Sequence, residues 1–278
     1  MNETVDEILK GSYDLHVHAG PDPTQQRRLD ALDTARHAYE AEMGGFVLKS
    51  HEFPTAPLTY ALERMYPGLT VAGSVSLNRE VGGLNPDAVQ TAARMGAKVV
   101  WMPTFSAHFY LSALGKGPGI ALLDSSGDLL PKVHDVLDVV AESGMALASG
   151  HISPSETTEL FEAATHKGCE RLIVTHPAGL ATLDELRTMI ALGAYVEYTF
   201  MSCLPSGGGT DPKKLVAAIR ELGVQECIVT TDLGQWMNPP PAEGMRMAIG
   251  SLLEAGMEPD EVSTLVKANP AYLLGLDA

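Results

Sequence analysis

The sequence predicts an α/β fold of the (β/α)8 TIM-like barrel class, regular or distorted, built as a single domain over residues 1–278. Eight short apolar runs recur along the chain, and most are separated by segments of helical period. One local pattern repeats: a helical stretch ends at glycine and a β-branched run follows at once, as in ARMGAKVVWMP. Glycine tolerates the left-handed turn that ends a helix, and an apolar run suits a strand covered on both faces. An open doubly wound sheet is the alternative.

The eight candidate strands follow one another at the spacing that a barrel requires. They lie in SYDLHVH from Ser12, FVLKSH from Phe46, LTVAGSVSL from Leu69, AKVVWMP from Ala97, MALASGH from Met145, RLIVTH from Arg171, AYVEYTF from Ala194 and CIVTTD from Cys227. Three helix starts agree with this register. Capping boxes are predicted at Ser153 with Glu156 and at Thr182 with Glu185, and a cap followed by a first-turn proline at Asp211 and Pro212.

Two stretches interrupt the pattern. The longer one, an insertion at about residues 104–131, contains GIALLDSSGDLLP, which predicts a hairpin that turns at Ser125 to Gly127. It follows the fourth strand, where it would form a lid or an oligomer contact. The other stretch, SGGGTDP from Ser206, predicts a flexible turn after the seventh strand.

Charge and composition exclude several classes of partner. The chain has 19 Lys and Arg against 35 Asp and Glu, a formal net charge of −16, and no basic stripe. We therefore expect neither nucleic acid nor a membrane surface as a partner, because both are bound through clustered cations. The start MNETVDEILK lacks a secretion signal, no run of about 18 apolar residues exists, and the three cysteines are scattered. A cytoplasmic location, a small-molecule substrate and a possible homo-oligomer follow as expectations.

Metal-binding residue types recur at the carboxyl ends of the apolar runs, the end at which barrel enzymes place their sites. The set comprises His16, His18, Lys49, His51, His151, His176 and Asp232. His16 and His18 flank Val17, so on a strand their side chains project to the same face and can chelate one ion. For an isolated HxH, two polar residues leaving a strand would be the simpler interpretation. The later histidines and the aspartate favour a metal site instead.

The combined pattern resembles the metal-dependent amidohydrolase superfamily. The resemblance rests on HVH at the first strand, single histidines at the fifth and sixth strands, aspartate at the eighth, and the terminal segment ANPAYLLGL from Ala268. It covers the chain from about Tyr13 to Leu276. It implies that His16, His18 and Asp232 hold one metal ion and that His151 and His176 hold a second, with zinc first and manganese, iron or nickel as alternatives.

The second strand departs from that pattern. Two-metal members of the superfamily carry a bridging carboxylated lysine or a glutamate on the fourth strand, but here that strand ends VVWMPTF. Lys49 instead stands at the end of the second strand, and His51 follows in KSH, which resembles the second motif of polymerase and histidinol phosphatase barrels. Three hypotheses stay open: Lys49 bridges as a carbamate, His51 is a ligand and Lys49 a substrate cation, or the site holds one ion. A salt bridge from Lys49 to Glu52 or Glu80 is the structural alternative.

Further candidates lie near other strand ends. Arg79, after Asn78 at the end of the third strand, is predicted to bind a substrate carboxylate, since a guanidinium matches two carboxylate oxygens. A second group is better explained by loop packing or solvent, and consists of His108, Tyr110, Tyr198, Met201 and Gln235. A third group falls on helices and is expected at the surface, namely His37, His134 and His166.

These residues favour a metal-dependent hydrolase that cleaves an amide, cyclic amide or lactone with metal-activated water. Asp232 would act as general base and acid, and Asp14 is a candidate to fix an imidazole from outside. No GxGxxG opens a helix after a strand, and GxxxxGK[ST], HExxH and GxSxG are absent, so the enzyme classes that these motifs mark have no support. The alternatives are a phosphoesterase, a decarboxylase on the same barrel, and a non-enzymatic metal-binding module.

Overall fold

Eight parallel strands form one sheet, in the order β1 to β8. The structure is a computed structural model that describes residues 2–276. The strands are β1 (Tyr13–Val17), β2 (Gly45–Leu48), β3 (Thr70–Ser76), β4 (Ala97–Trp101), β5 (Ala146–Ala148), β6 (Leu172–Val174), β7 (Ala194–Thr199) and β8 (Cys227–Thr230). Every one of the eight predicted strands is confirmed.

Helices alternate with these strands. They are α1 (Asn2–Leu9), α2 (Ala31–Glu40), α3 (Ala56–Met65), α4 (Pro86–Arg94), α5 (His108–Ala113), α6 (Pro131–Ser143), α7 (Pro154–His166), α8 (Leu183–Ala191), α9 (Pro212–Leu222), α10 (Pro241–Glu254), α11 (Pro259–Ser263) and α12 (Asn269–Leu274). A π-helical turn at Thr264–Ala268 joins the last two. Both capping boxes are present, and the Asp211 carboxylate accepts a hydrogen bond from the Lys213 N–H, so the three helix starts are confirmed. His37, His134 and His166 lie on α2, α6 and α7.

The first and last strands are neighbours. Val17 forms a parallel bridge with Leu233, the Asp232 N–H donates to the His16 carbonyl at 2.9 Å, and the His18 N–H donates to the Leu233 carbonyl at 2.8 Å. Eight parallel strands in sequential order, with the ends of β1 and β8 bonded to each other, are the topology of a (β/α)8 barrel. The predicted fold class is confirmed.

The chain divides into two compact units. The first comprises Met1–Lys49, Leu58–Ala72 and Glu197–Ala278, and its core includes the buried residues Leu15, Phe46 and Ile228. The second comprises Ser50–Pro57 and Gly73–Val196, with Val99 and Leu147 among its core residues. A single domain over residues 1–278 stays a prediction, and residues 1, 277 and 278 of that range lie outside the described residues.

The insertion at 104–131 contains a hairpin and a short helix. Leu123 and Leu129 form an antiparallel bridge, and the Asp124 N–H donates to the Asp128 carbonyl at 2.9 Å. The predicted turn at Ser125 to Gly127 is therefore confirmed. The helix α5 was not predicted, because its six residues are too few to show a clear helical period. Residues 206–209 carry part of a short 3-10 helix and a left-handed turn.

Two further observations concern the state of the cysteines and the length of the helices. All three cysteines are free thiols, and two of them, Cys169 and Cys227, are buried. Across residues 2–276, none of the helices combines the length and the apolar character that crossing a membrane demands.

Candidate metal centre

The first unit brings three predicted ligands together. His16 and His18 alternate with Val17 on β1, and Asp232 follows the end of β8 by two residues. The two backbone hydrogen bonds between these strand ends set their register. Asp232 has φ 54°, a left-handed conformation that is uncommon for residues other than glycine.

The side chains of these three residues converge. Asp232 Oδ1 lies 3.2 Å from Nε2 of His16 and 3.3 Å from Nε2 of His18. One ligand atom from each residue lies within 4.8 Å of the other two, and all three residues are buried. Two imidazole nitrogens and one carboxylate oxygen are a donor set that zinc and related divalent ions accept. The cluster therefore fits a divalent metal ion. We call His16, His18 and Asp232 the HHD cluster.

The second ring nitrogen of His16 is fixed by a residue that the sequence analysis missed. Nδ1 of His16 lies 2.9 Å from Oε1 of Glu197, a buried residue on β7 that also accepts a hydrogen bond from the Thr230 hydroxyl. A carboxylate at Nδ1 holds the imidazole hydrogen there, so the lone pair is on Nε2, toward Asp232. The only sequence signal was a glutamate inside the apolar run AYVEYTF.

Asp14 has a different role from the one predicted for it. Its carboxylate accepts hydrogen bonds from the backbone N–H groups of His16 and Thr231 and from the Thr231 hydroxyl. Burial raises the pKa of Asp14 to about 7, although these hydrogen bonds act in the opposite direction. Asp14 thus links β1 to the residue that follows β8. The carboxylate that contacts the His16 ring is that of Glu197.

Lys49 lies against the HHD cluster. Its Nζ is 3.0 Å from Nε2 of His16, and the side chain is fully enclosed. Burial lowers the pKa of Lys49 to about 8, while the charges of Asp232 and Glu197 favour the ammonium form. Burial also holds the pKa of His18 well below its ordinary value, with the charges of His16, Arg27 and Lys49 adding to the effect. The lowered pKa favours the neutral imidazole at His18.

Arg27 is a second residue that the sequence analysis missed. It lies in the loop after β1, and only 3% of its side chain is exposed. Its Nε and Nη2 donate to Oδ2 of Asp22 at 2.7 Å, and Nη2 lies 3.4 Å from Nδ1 of His18. Asp22 therefore occupies one edge of the guanidinium. A loop arginine carries no periodic signal, so the sequence alone did not single it out.

The second unit brings His151 and His176 together. Their ring centroids lie 5.0 Å apart, at the ends of β5 and β6. Gly150, at φ 64°, lets the backbone before His151 pass so close to the Met102 carbonyl that a Cβ would lie 2.3 Å from its oxygen. His176 has φ 26°, again uncommon for a residue other than glycine. Tyr110 of α5 packs against the His151 ring at 5.2 Å.

His51 also lies in the second unit, where its ring is held on two sides. Nδ1 of His51 is 2.8 Å from the hydroxyl oxygen of Thr104, and the ring stacks on Phe105 at 3.9 Å between centroids. Asn78 donates from its amide to the His51 carbonyl and to Thr104 Oγ1. The network is buried and reaches from the end of β2 to the loop after β4.

Two of the remaining candidates, Arg79 and Gln235, have local hydrogen-bond partners. Arg79 is exposed, and its guanidinium donates to the Pro118 carbonyl in the insertion. Gln235 donates to the Asp232 carbonyl at 2.8 Å and so supports the turn that carries that ligand. Burial raises the pKa of the Tyr198 phenol well above its ordinary range. His108 is exposed on α5, and Met201 lies half-buried in a 3-10 helix.

Comparison of the sequence with known families finds one match. The profile of a family described as a family of unknown function, DUF6282, matches residues 11–197, which is more than half of the chain. Among curated proteins, none matches the sequence at a significant level.

Solved structures resemble the whole chain. An amidohydrolase from Pseudomonas aeruginosa superposes with a TM-score of 0.66 at 11% identity, covering 98% of this chain and 97% of that one. The probable dipeptidase PvdM from the same organism gives 0.68 at 10% identity, covering 99% and 97%. The phosphotriesterase from Mycobacterium tuberculosis gives 0.60 at 14% identity, covering 98% and 95%. The similarity is one of fold, and at that level the resemblance to the metal-dependent amidohydrolases is confirmed.

Proposed function

The chain belongs to the family of unknown function DUF6282, and we propose that it is a metal-dependent hydrolase that cleaves the C–N bond of an amide or cyclic amide, or a lactone, in a small molecule. One observation carries the proposal, the convergence of His16, His18 and Asp232 in a buried cluster. Buried polar groups are costly unless they are paired or bind a ligand, and this donor set matches a divalent cation. The named activities of proteins that share the fold point in the same direction.

In this proposal the HHD cluster holds one divalent ion, zinc first, with manganese, iron and nickel as alternatives. When bound, such an ion lowers the pKa of water from about 15.7 to about 7 and polarises the electrophile. Glu197 keeps the His16 ring oriented for the ion. Asp14 keeps the two strand ends that carry the three ligands in register.

Asp232 is the residue that we assign to proton transfer. Both imidazoles contact its Oδ1, so Oδ2 is the oxygen that we assign to the proton. In the forward reaction it accepts the proton of the attacking water and then delivers it to the leaving nitrogen or oxygen. A positioned acid–base group contributes roughly 10²–10⁴-fold to a rate.

A second ion is proposed at His151 and His176, which offer two imidazoles in the second unit. Lys49 then has two alternative roles. Its pKa of about 8 makes the neutral amine accessible near neutrality, and only that form reacts with carbon dioxide to give a bridging carbamate. If it stays an ammonium, Lys49 binds the substrate as a cation. His51 and Arg79 keep the ligand and carboxylate-binding roles predicted for them as hypotheses.

Arg27 refines the class of substrate. The buried guanidinium beside His18 supports a substrate that carries a carboxylate or another anion, since Asp22 uses only one edge of the fork. Arg27 and Lys49 together also favour a second candidate function, a phosphoesterase, because a phosphate needs cationic partners. A decarboxylase on the same residues is the non-hydrolytic alternative, and a binding module without turnover is the non-enzymatic one.

One experiment tests the proposal. Purified protein is analysed for metal content, stripped with a chelator, reloaded with zinc, and assayed against a panel of amides, lactones and phosphate esters. We expect about one or two ions per chain and turnover of a C–N or lactone substrate that is lost on stripping. Asp232→Asn should stop turnover more severely than it lowers metal content. Turnover that survives complete stripping, or a protein that binds no divalent ion, would refute the proposal.

Location, partners and subunit assembly complete the proposal. We propose a cytoplasmic protein that acts on a small molecule and has neither nucleic acid nor a membrane as a partner, in keeping with its net charge of −16. The insertion at 104–131 is the segment proposed for contact between subunits in a homo-oligomer.

A further inference from the structure

The backbone of Asp232 is held at both of its peptide groups. Its N–H donates to the His16 carbonyl at 2.9 Å, and its carbonyl accepts a hydrogen bond from Nε2 of Gln235 at 2.8 Å. Asp232 is buried and has φ 54°. A buried peptide carbonyl needs a hydrogen-bond partner, and left-handed backbone outside glycine persists only where the surroundings hold it. Gln235 supplies that partner, on the side of Asp232 away from β1.

The orientation of two side-chain amides follows from this contact. A peptide carbonyl can only accept, so the atom of Gln235 that faces Asp232 is the nitrogen, and the other atom is the oxygen Oε1. Oε1 lies 2.8 Å from the side-chain amide of Asn238, whose facing atom is then the nitrogen Nδ2. The remaining oxygen, Oδ1 of Asn238, accepts a hydrogen bond from the Ser206 hydroxyl at 2.6 Å. The hydrogen bonds of both amides therefore agree on one orientation.

Asn238 holds Gln235 at two points. Its side chain donates to Gln235 Oε1, and its backbone N–H donates to the Gln235 carbonyl at 3.0 Å. Only 4% of Asn238 is exposed, so water does not readily replace its amide, whereas Ser206 lies at the surface. A bridge between Arg27 and Gln235 joins the same turn to the loop after β1. The turn 232–238 is thus closed by its own side chains.

We infer that Gln235 and Asn238 are positioning residues for Asp232, and that Asn238 acts through Gln235. Neither residue belongs to the HHD cluster. By holding the Asp232 carbonyl, they keep the backbone in the state in which Oδ1 lies 3.2 Å from His16 and 3.3 Å from His18. A displacement of about 1 Å at a reacting group can cost about 100-fold in rate. The effect on zinc and turnover rests on the proposed function, whereas the effect on the backbone rests on the hydrogen bonds alone.

Zinc affinity gives the first test, by competition with a chromogenic chelator. Gln235→Met removes one amide at similar volume and should lower the affinity about tenfold or more. Asn238→Leu should lower it by a smaller factor, and Asn238→Ala takes its place if leucine is not accommodated. The double variant should match Gln235→Met, because Asn238 has no effect once the amide that it orients is gone. Gln225→Met, at an exposed glutamine before β8, is the control and should leave the affinity unchanged.

Two results of this cycle would overturn the inference. One is an unchanged affinity in either single variant, and the other is losses that add in the double variant. Turnover separates positioning from packing. With zinc saturating and a substrate from the panel, Gln235→Met should lower kcat and change KM little, because proton transfer by Asp232 is affected and substrate binding is not. A raised KM at unchanged kcat would contradict the assignment.

Crystal structures of the metal-free wild type and of metal-free Gln235→Met test the inference without zinc or substrate. We expect the left-handed backbone at Asp232 in wild type and its loss in the variant. A left-handed Asp232 in Gln235→Met, or its absence from wild type, would overturn the inference. If wild type binds no zinc or turns over no panel compound while the Asp232 backbone still depends on Gln235, the proposed function fails and the positioning role stands.

Discussion

The carboxylate of Glu197 and the ring of His16 form a buried pair, with Oε1 2.9 Å from Nδ1 across 181 residues of sequence. The pair decides which nitrogen of His16 carries the ring hydrogen, and the Thr230 hydroxyl in turn donates to the carboxylate. We therefore expect Glu197, from outside the HHD cluster, to control how well His16 binds the proposed ion.

Replacement of Glu197 by glutamine should weaken zinc binding by about 10- to 100-fold, the usual effect of losing a partner behind a ligand histidine. The amide is isosteric but loses the charge that favours Nδ1–H. Competition with a chromogenic chelator measures the affinity. Glu159→Gln, on the exposed face of α7, is the matched control and should leave the affinity unchanged. An unchanged affinity in Glu197→Gln would show that the pair is only structural.

Arg27→Leu should raise KM for anionic substrates about tenfold or more and leave neutral analogues nearly unaffected, because charge-assisted hydrogen bonds contribute about 1.5–3 kcal/mol. Arg27→Lys keeps the positive charge but loses the planar set of guanidinium N–H donors. Its KM for anionic substrates should therefore lie between those of wild type and Arg27→Leu. Arg36→Leu removes an exposed cation paired with Asp33 and serves as the control. Equal losses for charged and neutral substrates would mean that Arg27 acts on the loop and not on the anion.

Gly234 should not accept alanine. It has φ 142°, and a Cβ there would lie 2.0 Å from the His18 carbonyl oxygen. Backbone strain and overpacking together should lower the free energy of unfolding by about 2–4 kcal/mol. Urea unfolding followed by circular dichroism measures the loss. Gly68→Ala is the control, since Gly68 has φ 94° but open space around it. If Gly234→Ala and Gly68→Ala lower the free energy of unfolding equally, the close approach to the His18 carbonyl adds no destabilisation.

The buried thiols should make the fold sensitive to alkali. Burial raises the pKa of Cys227 to about 12, with the charge of Glu226 adding to it, and burial raises that of Cys169 to about 11. An unfolded thiol ionises near 8.5, so the unfolded state releases its proton first. The stability is fully present below that pH and is lost as the pH rises above it, by up to about 1.4 kcal/mol per unit for each thiol.

Cys227→Ala tests this sign. Between pH 9 and pH 10 its free energy of unfolding, measured in urea, should fall less steeply than that of wild type. Below about pH 7 the two slopes should agree, because the thiol is protonated in both the folded and the unfolded state. Parallel curves at all pH values would contradict the assignment of the pKa shift to Cys227.

The fold was predictable from the sequence because its signals are local. A glycine after a helical stretch and a β-branched run after the glycine mark each helix–strand unit, and Ser153 and Thr182 mark helix starts by chemistry confined to four residues. The positions of His16, His18 and Asp232 followed from the same register, since strand ends in a barrel share one rim.

The partners of those residues were not predictable. Glu197 meets His16 only because the end of β7, from Glu197 onward, belongs to the same compact unit as β1, and nothing near either residue in sequence records that contact. The assignment of Asp14 was wrong for the same reason, since its carboxylate faces Thr231 of another strand. Arg27 lies in an irregular loop, where neither period nor motif distinguishes a buried cation from an exposed one.

The left-handed backbone at Asp232 and His176 has a consequence for how these positions respond to randomisation. With φ values of 54° and 26°, both sites penalise most side chains, β-branched ones above all, and glycine least. A saturation library sorted for abundance alone should enrich glycine and asparagine at both codons. The same library sorted for zinc retention should instead enrich aspartate at position 232 and histidine at position 176. The difference in residue frequencies between the two sorts would measure how strongly the proposed metal-binding role and backbone stability favour different residues at each position.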